Sequence, residues 1–189
     1  GSDVCSSDLT PQVHALVNAH IVTAPGLEIS RGTVVLRNGM IVAVGAEVAV
    51  PADARVWDLE GKTVYPGLID AYGKTSVELP KGGSPHWNSL ITPQLNVGDH
   101  YQPDNDLHKK LRSQGVTARL VAPDSGIIKG TSCVVLTGDS ASREAIVASG
   151  VAQHVRLTAP RGRGRDSYPN SPMGAVALAR QSLYDADWH

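Results

Sequence analysis

Val64-Tyr65-Pro66-Gly67-Leu68-Ile69-Asp70-Ala71 is the stretch at which this chain changes character. Upstream, from His14 to Val64, the sequence reads as β structure. Ala15 to Val22 is an apolar run, and Ala24-Pro25-Gly26 is a turn signal. Thr33 to Arg37 and Met40 to Val44 flank Asn38-Gly39, two residues that tolerate positive φ and so suit a tight hairpin turn. Arg55 to Leu59 is a further strand, and Lys62 to Tyr65 leads into Pro66-Gly67. The reading is a small sheet or sandwich over residues 10–65.

Downstream the pattern mixes. Leu68 to Tyr72 is a short strand. Residues 73–103 hold eight Gly or Pro with no sustained period, which reads as a long loop, functional or lid-like. Asp104-Asn105-Asp106 offers N-caps for a helix through Leu107 and Leu111 that ends at Gly115. Val116 to Ala122 is a strand. An apolar segment bounded by Gly126 and Gly138 centres on Cys133 to Leu136. Residues 142–149 read as a short helix, 151–157 as a strand and 160–170 as a basic loop. Ser171-Pro172 opens a last helix, on which Met173, Val176, Ala177, Leu183 and Tyr184 share one face. Strands alternating with helices predict βαβ units and a parallel sheet.

Composition narrows the function. The chain has 189 residues, 41% hydrophobic and 19% charged, enough for a sizeable core. Seventeen basic against eighteen acidic residues give a net charge of -1, which argues against a dedicated nucleic-acid or membrane-surface binder. No window approaches 18 consecutive apolar residues. Cys5 and Cys133 cannot build a disulfide framework or a four-cysteine zinc site. Phe is absent, so Val, Leu, Ile and Ala must fill the core. Arg outnumbers Lys 11 to 6, read as a GC-rich, bacterial coding genome. Residues 1–9 are polar and aperiodic, with no features of a signal peptide. They back-translate to the end of a common sequencing adapter, so they are expected to be non-native, with the native N-terminus and localisation left unknown.

The phrase around Pro66-Gly67-Leu68-Ile69-Asp70, with Val17-Asn18-Ala19-His20-Ile21-Val22 and Asn38-Gly39-Met40-Ile41-Val42-Ala43-Val44-Gly45 before it, resembles the amidohydrolase superfamily, most like its imidazolonepropionase-related branch. Gly115-Val116-Thr117 and Pro172-Met173-Gly174-Ala175 look like one subgroup of that branch. The resemblance implies an α/β fold: half of a β-sandwich over residues 10–65, then the first βα units of a TIM-like, metal-dependent hydrolase barrel over 66–189. Fewer residues follow position 66 than the ~250 of a complete barrel, and the chain stops at Trp188-His189 inside a helix pattern. It is therefore expected to be an N-terminal fragment lacking the C-terminal half of the barrel.

In active members of the family a His-x-His pair follows the strand-end Asp. On a strand, period-two spacing aims both imidazoles to one face, where they hold a divalent metal. The metal lowers the pKa of a bound water to about 7 and so supplies hydroxide for attack on a carbonyl. Here those positions are Tyr72 and Lys74, and the pair is absent. The weak site candidates are Asp70, Tyr72 and Lys74, with no metal expected in this chain, and a divalent metal, zinc by resemblance, in the parent. Asp70 reads either as a site residue or as a loop anchor. His86, His100 and His108 lack ligand spacing and read as solvated side chains. Cys133 reads as a buried inert thiol. Gly126 to Gly130 reads as a tight turn, and Arg161, Arg163 and Arg165 as a flexible solvated loop.

By resemblance the parent hydrolyses a non-peptide C–N bond, of a cyclic amide or related small-molecule substrate, through metal-activated water, and the chain by itself is expected to be inactive. The rival is a catalytically inactive protein of the same fold with a structural or binding role. A second rival is a β-sandwich binding module with an α/β appendage. A small-molecule substrate and possible homo-oligomerisation complete the expected partners, with no nucleic acid and no membrane.

Overall fold

The computed structural model describes residues 12–77, 85–139, 144–159 and 167–188. The chain divides into two compact units at Pro66/Gly67.

In the first unit, β1 (Val13–Ala24) and β2 (Leu27–Arg37) pair antiparallel, with Ala24 opposite Leu27 across Pro25-Gly26. β3 (Met40–Gly45) turns back on β2 through Asn38 and Gly39, whose φ values of 52° and 76° meet the requirement of the expected tight turn. β4 (Arg55–Asp58) and β5 (Thr63–Val64) both run parallel to β1 at successive positions along it. The order is β3-β2-β1-β4, with β5 also on β1. All five strands thus belong to one sheet, and the described residues of this unit contain no second packed sheet. Its core comprises Val13, Ala15 and Val35 beside Ala19, Ile21 and Val34. A register slip in β1 places Asn18 at φ 59°, where its amide bonds Asp58 and Arg31.

The second unit begins with β6 (Leu68–Thr75), followed by α1 (Val97–His100), α2 (Asn105–Ser113) and β7 (Val116–Pro123). β6 and β7 are parallel neighbours, as expected of a βαβ unit. Asp104 Oδ1 accepts from Leu107 N at 3.0 Å and so caps α2, and Gly115 takes φ 84° beyond its end. The parallel pattern then stops. β8 (Ile128–Thr131) and β9 (Cys133–Leu136) are separated by Ser132 alone, far short of a crossover connection. β9 runs antiparallel to β7, and β10 (Ile146–Ala148) antiparallel to β9, in the order β10-β9-β7-β6. β8 forms a separate antiparallel pair with β11 (Gln153–Val155). The fully parallel sheet expected from sequence is corrected accordingly.

Two local expectations also change. The helix expected over 142–149 is β10 in its described part, because Ile146 and Ala148 pair with Val135 and Val134 and pairing overrides local propensity. The long loop of 73–103 is not a lid where described. Its residues Ile91, Leu95 and Val97 are buried, and Leu90 O accepts from Ile127 and Ile128. Ile91 joins Ile127, Ile128, Ala175, Leu178 and Ala179 in one core cluster. A second contains Val97, Tyr101, Val121, Cys133 and Val135.

α3 (Pro172–Trp188) is the expected last helix, but its buried line is Ala175, Leu178 and Ala179. The expected stripe of Met173, Val176, Ala177, Leu183 and Tyr184 lies exposed on the other side. The helix is apolar on two faces, and the small Ala residues let it approach Ile91 and Ile127 closely. Residues 1–9 and the arginines Arg161, Arg163 and Arg165 lie outside the described residues.

Candidate functional site

β6 carries the three candidates and is irregular where they sit. Asp70 pairs with Arg119 and Gly73 with Val121, so Ala71 and Tyr72 oppose Leu120 alone. Such a bulge re-aims side chains. Asp70 holds it: Oδ1 accepts from Tyr72 N at 3.2 Å, and Oδ2 takes Arg119 Nε at 3.0 Å. Both carboxylate oxygens are thus engaged in positioning the strand. Gly73 packs closely beside them: a Cβ there would lie 2.4 Å from the Arg119 guanidinium and would push it from its place.

Beyond the bulge, Tyr72 and Lys74 come together. Lys74 Nζ is 5.8 Å from the centroid of the Tyr72 ring, and both side chains are exposed. Tyr72 also meets His154 of β11, ring centroids 5.9 Å apart. β11 is paired with β8 through a register slip: His154 faces Gly130 and Val155 faces Ile128, leaving Lys129 as the extra residue. Lys129 is only 2% exposed. Burial, and then the Lys129 charge, hold the His154 imidazole below its ordinary pKa. Ile128, Gln153 and Val155 instead line an apolar groove of about 470 Å³ beside α3, in which neither His154 nor Lys129 takes part. Sequence reading passed over Lys129 and His154. The only signal for the lysine was its place inside an apolar run between Ile128 and Gly130.

At the C-terminal end of β6, residues 75–77 and 99–102 enclose a cleft of about 740 Å³. Tyr101 lines it, and its Oη lies 2.8 Å from His108 Nε2. Burial pushes the Tyr101 phenol up. Burial and the Arg119 guanidinium push the His108 imidazole down. The site wall thus favours an uncharged phenol–imidazole pair at neutral pH.

The three histidines weighed as ligands stand apart. His86 hydrogen-bonds Asn88 and approaches Ser182 Oγ at 3.5 Å, His100 borders the cleft, and His108 is fully buried, not solvated. Among the described residues no group of three His, Cys, Asp or Glu could hold a metal ion. Cys133 is fully buried and its thiol is pushed up to about 11 by burial, so it remains protonated and unreactive at neutral pH. No helix of the described residues is long and apolar enough to cross a membrane.

No protein-family model matches the chain. The structure of an amidohydrolase from Thermotoga maritima superposes on 92% of this chain with a TM-score of 0.73 and 20% sequence identity. A 66-residue stretch, 33% of the chain, is 38% identical to N-substituted formamide deformylase of Arthrobacter pascens. The chain therefore shares the fold of that amidohydrolase. It spans 47% of that structural relative and 12% of the deformylase.

On a chain with this amidohydrolase-like fold the donor set at β6 is the wrong kind for a divalent cation. A lysine ammonium has no free lone pair, and a phenol at ordinary pH is a poor ligand. The buried charge nearby, Lys129, is also positive. The residues present at this position therefore do not fit a metal.

Proposed function

We propose that the whole protein, of which this chain spans a part, hydrolyses a carbon–nitrogen bond other than a peptide bond, with cyclic amides as its substrate class. In such a reaction water adds to the carbonyl carbon, the C–N bond breaks, and an amine and a carboxylate are left. The observation that carries this reading is the amidohydrolase-like fold over nearly the whole chain, joined to sequence likeness with a formamide deformylase. Within the chain, Asp70 and Arg119 fix the β6 bulge, and the Tyr101–His108 pair supplies a neutral hydrogen-bonding wall to the cleft. No step is assigned to a metal at Tyr72 and Lys74, because those side chains do not suit one.

A second reading has its own support. Lysine and tyrosine at these two positions fit a catalytically silent relative that binds a small molecule on the same scaffold. The test is direct: incubate the protein with hydantoin-type cyclic amides and with N-substituted formamides, with and without added zinc, and follow the released amine or opened ring. Turnover of a cyclic amide is expected of the whole protein, and none of this chain by itself. Turnover of formamides alone corrects the substrate class, and no turnover by the whole protein under any condition rejects hydrolysis in favour of the binding role.

A further inference from the structure

We propose that Lys129, His154, Tyr72 and Lys74 form a recognition site for the carboxylate group of a small molecule. The floor is Lys129. A lysine 2% exposed has lost nearly all its hydration, and it makes no ion pair among the described residues. A charge buried in that way is costly unless something compensates it. His154 stands beside it, and its Nε2 is buried with no hydrogen-bond partner among the described residues. A nearly buried lysine whose charge reaches His154 thus stands with a buried imidazole nitrogen that has no partner among the described residues.

The mouth is the β6 bulge. Tyr72 is 49% exposed, and its ring centroid lies 5.9 Å from that of His154 and 5.8 Å from the Lys74 ammonium. Both deep and shallow residues owe their placement to register slips, at residues 71–72 of β6 and at Lys129 of β8. Charge count selects the ligand. Burial keeps His154 neutral, so Lys129 is the one buried cation, and Lys74 lies at the rim where water screens it. One buried positive charge calls for a monoanion. A carboxylate meets that need, with a second oxygen free to accept from His154 Nε2–H or the Tyr72 hydroxyl. A phosphate dianion would leave one negative charge uncompensated at the floor. The proposal goes beyond hydrolysis and does not depend on it.

Thermal unfolding of the chain in acetate, phosphate and chloride at matched ionic strength tests this. Acetate is expected to raise the wild-type Tm saturably, by about 2–4 °C, with a smaller effect from phosphate and none from chloride. Lys129→Met is expected to abolish the acetate shift, and Tyr72→Phe to reduce it. An equal shift in Lys129→Met, an equal shift with chloride, or a larger one with phosphate overturns the proposal. Should Lys129→Met fail to fold, wild-type chain labelled at lysine 13Cε replaces it. One solvent-protected lysine signal must then move saturably with acetate, and its immobility rejects the site. Hydrolysis is not read in either arm, so a failed turnover assay leaves these outcomes intact.

Discussion

Up to Pro66 the chain builds its sheet largely through two-residue turns, whereas beyond Gly67 it relies on side chains far apart in sequence. Pro25-Gly26 and Asn38-Gly39 set the register of β1, β2 and β3 at once. In the second unit Asp70 finds Arg119, Ile91 finds Ile128, and Asn88 Nδ2 donates to Tyr168 O at 3.0 Å. Turn-set register costs little chain entropy to establish, while long-range contacts must first close long loops. The first kind of order fails locally when broken, and the second should fail over a whole unit.

The largest expected effect follows from Ile91, which comes from the segment that sequence reads as a loop yet sits at the centre of a core cluster. Ile91→Ala should destabilise the second unit by about 2–5 kcal/mol, read by urea unfolding of the chain. Amide protection across the β2–β3 hairpin should persist. A loss below about 1 kcal/mol, smaller than the usual range for such truncations, would return residues 85–95 to the status of a peripheral loop.

Next is Arg119, whose side chain is 11% exposed against 30% for Asp70. Arg119→Met leaves the Asp70 carboxylate without its cation and loosens the β6 bulge. Because Asp70 keeps some contact with water, the expected cost is about 1–3 kcal/mol rather than that of a fully buried pair. A second readout separates electrostatics from packing. Burial, with Arg119 next, holds the His108 imidazole down, so the variant should let His108 titrate closer to its ordinary value. An unmoved His108 resonance in NMR titration would mean that the two polar pairs are independent.

Gly39→Ala is the corresponding change in the first unit. No atom lies within 4 Å of the added methyl, so the whole cost is the φ of 76°. About 1–2 kcal/mol is expected, confined to β2 and β3. Destabilisation spreading to the second unit would erase the contrast between the two.

What could be read in the sequence follows the same divide. The Asn38-Gly39 turn, the Asp104 cap and Pro172 at the start of α3 are local chemistry, and each stands where expected. The resemblance singled out Asp70, Tyr72 and Lys74 but not the bulge on which they sit. The partners of those residues were not legible. Lys129 is buried at a register slip against β11, and no local pattern encodes a slip. On α3 the large side chains Met173, Leu183 and Tyr184 gave a clear stripe, yet Ala175 and Ala179 are buried because small residues permit the closest helix approach. Residues 146–148 became a strand only because β9 offered an edge.

The smallest effect sharpens the comparison from within the first unit, at a side-chain cluster of this long-range kind. Asn18 takes φ 59° in the slip of β1, donates to Asp58 Oδ1 at 3.0 Å and accepts from Arg31 Nε at 2.9 Å. The Asn18 amide, then the Glu60 backbone N–H, hold the Asp58 carboxyl below its ordinary 3.8. A folded-state value below the unfolded one means that the contribution to stability is present above the unfolded value and lost as pH falls through the folded one. Asn18→Gly retains the freedom to adopt positive φ and removes only the amide. The Asp58 midpoint, followed by carboxyl NMR, should therefore rise toward 3.8 while the sheet stays intact. If the midpoint stays low, the Glu60 amide and the Arg31 charge alone account for the shift. If the sheet frays instead, Asn18 joins three strands much as Arg119 joins two, and long-range side-chain order extends into the first unit as well.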